Sequence, residues 1–190
     1  DPVLQQLEDF GDGTVSANDC FRPVSRYFDR ITRPEQLLDA LPRALAAMLD
    51  PVSCGPTTLA FCQDVQAEAV DYPESFFEKR SWAIRRTSPD AREISRLVEA
   101  IKASSKPLII AGGGVQYSGA TEDLADFATR FGIPVAETQA GKGALPWDNP
   151  RSLGSIGVTG TSAANAAASE ADLVIGIGTR LQDFTTGSWA

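Results

Sequence analysis

The run KPLIIAGGG, Lys106 to Gly114, takes four apolar residues straight into three glycines. A short apolar run that ends this way reads as a buried strand entering a tight turn, since glycine admits backbone conformations and close approaches that a side chain forbids. What surrounds it fixes the class. Ser88, Pro89 and Asp90 form a helix start, followed by an apolar stripe of Ile94, Leu97, Val98 and Ile101. Beyond the glycines, a helix is expected near Thr121 to Phe131 with Leu124, Phe127, Ala128 and Phe131 inward, closed by Gly132 at a left-handed cap and by Pro134. IPVAE then reads as a strand, TSAANAAASEA as a small-residue helix and DLVIGIG as another strand. The passage between them, TQAGKGALPWDNPRSLGSIGVTG, shows no element beyond a turn, and a loop of that length is usually functional or packed on a neighbour. This succession predicts an α/β fold, a parallel sheet with helices on both faces.

The first half reads differently. ITRPEQLLDALPRALAAMLD places Thr32 and Glu35 in capping-box spacing and Leu37, Leu38, Leu41, Leu45 and Met48 on one helical face, predicting a helix from Pro34 to Leu49 with a kink at Pro42. TTLAF, bounded by Pro56 and CQDV, predicts a buried strand. DYPESFFEKRSWAIRRTSPD has no sustained period, but Tyr72, Phe76, Phe77 and Trp82 predict an ordered connection that packs on a domain. Positive charge concentrates between residues 79 and 106, as at a domain edge. The resulting division is 1–68, the end of one α/β domain; 69–92, a linker; and 93–190, the start of a second.

Several chemistries are excluded. The 190 residues contain no histidine, so Ser-His-Asp and Cys-His catalysis cannot be assembled from this chain. Cys20, Cys54 and Cys62 form no C-x-x-C pair, so no metal site is expected. A net charge of −8 argues against nucleic acid or an anionic membrane as partner. No apolar run approaches membrane-spanning length and nothing resembles a signal peptide, so the expected location is cytoplasmic.

The glycines admit two readings. A dinucleotide fingerprint needs G-x-G-x-x-G with an acidic residue about 20 positions on. Gly112 and Gly114 supply the first pair and Glu137 a carboxylate at the next strand end, but Tyr117 stands where the third glycine belongs. Gly176 and Gly178 leave a second strand in the same way. Gly112, Gly113 and Gly114 therefore either cradle the phosphates of ADP, FAD or NAD or simply turn the chain. Arg180 and Asp183 either meet the same nucleotide or pair with each other or a neighbouring strand. Gly11-Asp12-Gly13 lacks the downstream asparagine of a magnesium-binding motif and reads as a turn.

The segments FRPVSRYFDRITRPEQLLDALPRALAAMLDPVSCGPTTLAFCQDV, KPLIIAGGG, FATRFGIPVAETQAGKGALP, LGSIGVTGT and ADLVIGIGTRLQDF resemble, in order, the thiamine-diphosphate enzymes related to acetolactate synthase. The resemblance covers nearly the whole chain. It implies that 1–68 is the end of the pyrimidine-binding domain and 93–190 the start of the central, Rossmann-like domain. Within the family, CGPTTLAFCQDVQAEAVDYP and SANDCFRPVSRYFDRI are most similar to the inositol-catabolic hydrolases that open a cyclic trihydroxy dione to 5-deoxy-glucuronate. Phe61 and Cys62 stand where the synthases place a proline, and Asn149 where they place a histidine, so a carboligase or decarboxylase is the second choice within the family. The resemblance further implies thiamine diphosphate and Mg2+ in a longer parent enzyme, a homodimer or homotetramer. Its activating glutamate and magnesium motif would lie outside this chain, leaving here no catalytic residue, no bound cofactor and no activity in isolation. Asn18, Asp19 and Arg22 lie next to a region that approaches the active site in relatives, which makes them candidates for contact with a polyhydroxylated ring; ordinary loop capping is the other reading. Lys142 either meets an anion or faces an interface.

Overall fold

The computed structural model describes Gly11 and residues 16–188, in two compact units, Asp1–Thr87 and Ser88–Ala190. Asp12 and Gly13 of the glycine-flanked turn lie outside the described residues.

The first unit is a strand–helix–strand. After a 3-10 helix, Ala17–Val24, come β1 (Tyr27–Ile31), a 3-10 turn (Pro34–Gln36), α1 (Leu37–Met48) and β2 (Thr57–Phe61). The strands are parallel, with Tyr27 opposite Thr57 and Ile31 opposite Phe61. The sequence pattern misses β1, because Asp29 and Arg30 interrupt what would be an apolar run. TTLAF is a strand but not a buried one: its first four residues are half-buried and Phe61 is exposed. The expected helix is also adjusted. Its first turn is 3-10, and Gln36 rather than Glu35 reaches back, its Oε1 accepting from the Thr32 amide at 3.1 Å while its Nε2 donates to the Arg30 carbonyl at 2.9 Å. α1 runs unbroken through Pro42. Its innermost residues are Ala40 and Ala44, whereas Met48 is 44% exposed. Small residues at the centre of the stripe let the helix backbone approach the strands, leaving the leucines at the flanks. A small core of Ile31, Ala40, Cys62 and Val65 results. The connection that follows is tied to this unit: Tyr72 donates its hydroxyl hydrogen to the Pro34 carbonyl at 2.7 Å and stacks on Phe76 at 5.3 Å.

The second unit contains α2 (Ala91–Ala103), β3 (Pro107–Ala111), α3 (Gly114–Tyr117), α4 (Thr121–Phe131), β4 (Val135–Glu137), β5 (Ser152–Ser155), α5 (Ser162–Glu170), β6 (Leu173–Ile177) and α6 (Asp183–Thr186). All strands are parallel, in the order β5-β4-β3-β6. Asp90 caps α2 by accepting from the Arg92 amide at 2.7 Å, and Gly132 closes α4 at φ 71°. Because side chains alternate along a strand, β3 feeds two cores. Ile109 and Ala111 face Leu124 and Ala128 of α4, while Leu108 and Ile110 face Ala164 of α5.

Three expectations change here. β5 lies inside the passage read as loop, since SLGS carries no β-former pattern. Phe131 is 56% exposed at the end of α4, its ring tilted against that of Phe127 at 4.8 Å between centroids instead of turning inward. Of the α2 stripe, only Ile101 packs on the core; Ile94, Leu97 and Val98 are 43%, 39% and 41% exposed.

Candidate functional site

Sequential strands β3, β4 and β5 spread to one side, and β6 returns to the other side of β3. The connections leaving the carboxyl ends of β3 and β6 therefore diverge, and a crevice opens between them, the usual ligand position in open α/β sheets. A cleft of about 750 Å3 occupies it, lined by the glycine turn, by Thr138 to Ala140 after β4 and by Thr179 to Thr185 after β6.

The glycines in its wall are packed on one another's backbone. The Gly112 amide donates to the Ile177 carbonyl at 2.8 Å and the Gly114 amide to the Gly178 carbonyl at 3.0 Å. A Cβ on Gly112 would sit 2.3 Å from the Gly178 carbonyl oxygen, and one on Gly114 would sit 2.6 Å from the Gly178 Cα. Gly178 itself has φ +60°, a conformation that side chains rarely adopt. Gly113 meets the Ala140 carbonyl in the same way, its Cβ position lying 2.9 Å away. Two of the three glycine amides are thus already bonded within the protein. The following helix, α3, is a single turn. This turn closes two strand ends together; it lacks the row of free amides and the long helix that a pyrophosphate needs.

Glu137, the carboxylate at the end of β4, is already engaged within the protein. It is 8% exposed, and its Oε1 accepts from the Gly143 amide at 3.1 Å and the Leu145 amide at 2.9 Å. The carboxylate clamps the loop after β4, a role invisible in the sequence because both donors are backbone. Thr138 Oγ1 accepts from the Gly141 amide at 3.1 Å, and Gln116 Nε2 donates to the Lys142 carbonyl at 2.7 Å, so the loop is pinned at three points. The Lys142 side chain points into solvent.

Arg180 and Asp183 are both exposed and both line the cleft, and among the described residues no ion pair joins them. Between them Leu181 takes φ +48°, a left-handed conformation uncommon for a residue with a side chain, with its amide bonded to Thr179 Oγ1 at 3.2 Å. The sequence gives no sign of this strain. Tyr117 and Phe184, 88% and 64% exposed, also line the cleft, and no motif in the sequence marks them as cleft residues.

Asn18, Asp19 and Arg22 come together in the first unit as a cap. Ser16 Oγ accepts from the Asn18 amide at 3.2 Å and Asp19 Oδ2 from the Ser16 amide at 2.9 Å. Arg22 Nε donates to Asp19 Oδ1, and its guanidinium lies 4.2 Å from the Phe28 ring centre. The Arg22 hydrogen bond, with the Ser16 amide behind it, holds the Asp19 carboxyl below its usual range.

Among the described residues, no group of three or more His, Cys, Asp or Glu side chains is arranged to hold a metal ion. With the glycine amides already committed, these residues do not form a diphosphate–metal site.

Residues 94–190 match the family described as thiamine pyrophosphate enzyme, central domain. The chain belongs to this family. It is 53% identical over 188 residues to the 3D-(3,5/4)-trihydroxycyclohexane-1,2-dione hydrolase of Bacillus velezensis, covering 99% of this chain and 30% of that protein. Its identity to the hydrolase of the same name from Clostridium tetani is 53%, covering 99% and 29%, and to that from Bacillus subtilis 52%, covering 99% and 30%. This family member thus spans about 30% of the length of the curated relatives it matches. Among solved structures, a thiamin diphosphate-dependent enzyme from Mycobacterium smegmatis superposes with a TM-score of 0.61 at 26% identity, covering 84% of this chain and 30% of that one.

Proposed function

We propose that this chain is part of a thiamine-diphosphate-dependent C–C hydrolase that opens the ring of 3D-(3,5/4)-trihydroxycyclohexane-1,2-dione to 5-deoxy-glucuronate in inositol breakdown. The observation that carries this reading is identity above 50% along 99% of the chain to proteins bearing that hydrolase name. Thiamine diphosphate and Mg2+ would be held by parts of the longer enzyme outside these residues and would supply the chemistry of C–C cleavage there. Residues 1–68 would be the end of the pyrimidine-binding domain, 69–92 a linker and 93–190 the start of the central domain. The parent would be a cytoplasmic homodimer or homotetramer. Asn18, Asp19 and Arg22, on the 3-10 helix Ala17–Val24, would offer a preordered polar group suited to a polyhydroxylated ring, with Arg22 held by Asp19 and Phe28.

The test is a replacement. With this chain exchanged for the aligned stretch of the Bacillus subtilis relative, the hybrid is expected to hydrolyse the dione when thiamine diphosphate and Mg2+ are present, and the isolated 190-residue chain is expected not to. A folded hybrid with no hydrolysis, or turnover by the isolated chain, would overturn the reading.

The cleft at the ends of β3 and β6 favours a second reading, an ADP-, FAD- or NAD-binding module, with Gly112, Gly113, Gly114, Arg180 and Asp183 as its contacts. The committed amides of Gly112 and Gly114 weigh against it. Calorimetric titration with the three nucleotides is expected to give no saturable heat; saturation by any one of them would make the cleft a nucleotide site.

A further inference from the structure

The chain changes sign abruptly at one peptide bond. From Asp64 to Glu78 it carries five acidic residues, Asp64, Glu68, Asp71, Glu74 and Glu78, and no basic one. From Lys79 to Arg86 it carries four basic residues, Lys79, Arg80, Arg85 and Arg86, and no acidic one. Like charges gathered in one stretch repel each other, and such stretches commonly serve as contact sites. Neither block is neutralised within this chain. All of these residues are exposed, and among the described residues no ion pair engages Glu68, Asp71, Glu74, Glu78 or any of the four basic side chains. On α2, just beyond, the charges are instead paired along the helix, Arg96 with Glu93 at 3.3 Å and Lys102 with Glu99 at 3.0 Å.

The acidic block is fixed to the first unit. Tyr72 bonds the Pro34 carbonyl at 2.7 Å, and the rings of Tyr72, Phe76 and Phe77 pack with centroids between 5.3 and 6.1 Å apart. Phe77 nevertheless stays 72% exposed. The basic block forms neither helix nor strand, and between its two pairs of cations stand Trp82 and Ile84, 42% and 52% exposed. Large apolar side chains flanked by unpaired Arg are the composition of a protein contact, where Trp and Arg are enriched and carry much of the binding.

We propose that residues 64–86 form a self-complementary surface that binds a second copy of this chain about a two-fold axis, the acidic block of each copy lying against the basic block of the other. The occupant follows from the order of the charges. In a two-fold contact, residue i meets j while j meets i. An axis at the Glu78–Lys79 junction, with the two stretches antiparallel, sets 64–78 of one copy on 79–86 of its partner and neutralises both blocks at once. A partner of a single charge would leave one block facing its like. The 3-10 turns at Val65–Ala67 and Glu74–Phe76 shorten the acidic stretch toward the reach of the basic one. Exposed ion pairs contribute little singly, so burial of Phe77, Trp82 and Ile84 supplies affinity while the charges set register. The contact is independent of the reaction proposed above, and either can fail without the other.

Sedimentation of the 190-residue chain tests it, under reducing conditions so that the exposed Cys20 and Cys54 cannot cross-link. A dimer is expected, with a Kd that rises at least about tenfold between about 50 and about 500 mM salt as the charges are screened. A chain carrying Lys79→Glu, Arg80→Glu, Arg85→Glu and Arg86→Glu together should sediment as a monomer, as should one carrying Glu68→Lys, Asp71→Lys, Glu74→Lys and Glu78→Lys. Their equimolar mixture should dimerise again, because each then presents the sign that the other lacks. A monomeric unaltered chain at low salt, a dimer indifferent to salt, or a mixture that stays monomeric would overturn the proposal. Should either variant lose its fold by circular dichroism, zero-length carbodiimide coupling of the unaltered chain decides. In a mixture of isotopically light and heavy copies, Lys79 of one must link to a carboxylate within 64–78 of the other, and coupling confined to single copies would refute the contact.

Discussion

β1–α1–β2 and the β3–β6 sheet use the same device, parallel strands joined through helices, but they bury their strands to very different degrees. In the four-stranded sheet, Leu108, Ile109, Ile110 and Ala111 are all at or below 6% exposure, and an apolar layer lies on each face. In the two-stranded sheet only Ile31 is fully buried, and its core has four buried residues. A parallel strand gains stability from cover on both faces and from a neighbour on each side. The second unit has most of that cover; the first has a helix on two strands. The lesson is that equal local architecture does not imply equal stability.

The sharpest way to break this comparison is at the glycine interlock. Gly112→Val places its Cβ 2.3 Å from a backbone oxygen that cannot move aside like a side chain, and is expected to abolish cooperative unfolding of the second unit. Retention of the native amide exchange pattern across β3 and β6 would show that the turn is more forgiving than its geometry. Next comes paired truncation. Ile109→Ala is expected to cost about 4 kcal/mol and Ile31→Ala about 2 kcal/mol, within the range for buried isoleucine, because the smaller core collapses more easily around a cavity. Equal losses in urea unfolding would remove the contrast between the units.

A smaller effect is expected at Glu137. Glu137→Ala orphans the Gly143 and Leu145 amides and should destabilise by about 2 kcal/mol, with Glu137→Gln recovering part of the loss through its remaining carbonyl oxygen. Faster exchange confined to residues 138–146 is the accompanying signature. The least effect belongs to Asp172, which accepts from Ser104 Oγ and from the Ser105 and Lys106 amides at 2.7 and 2.9 Å. These bonds, led by that from Ser104, hold its carboxyl below the usual aspartate range. A carboxyl depressed in the folded state adds stability that is fully present above its unfolded pKa and is lost as pH falls through the folded one. Asp172→Asn should therefore flatten stability against pH below about 4, leaving the slope near neutrality unchanged.

Much of the second unit was legible in its sequence because its signals are local. Asp90 caps α2, Gly132 ends α4, and the apolar runs of β3 and β6 stop at glycine. What escaped depends on partners distant in the chain. β1 carries Asp29 and Arg30 in mid-strand, and SLGS becomes a strand only because β4 offers it an edge. Size alone puts the leucines on the buried face of α1, whereas close approach to the strands favours Ala40 and Ala44. At the candidate site, the cleft position follows from strand order and the Glu137 clamp from loop geometry, neither written in any motif. The glycine question was posed by the sequence, and what bears on it, the committed amides of Gly112 and Gly114, shows only in the fold.

The interlock of Gly112, Gly114 and Gly178 is a meeting of main chain with main chain, so no exchange of large for small residues across it can restore a fit. A library randomised at all three positions would return glycine at each. Anyone transplanting one of these two loops into another scaffold would have to carry its counterpart along, since the pair behaves as a single inherited part.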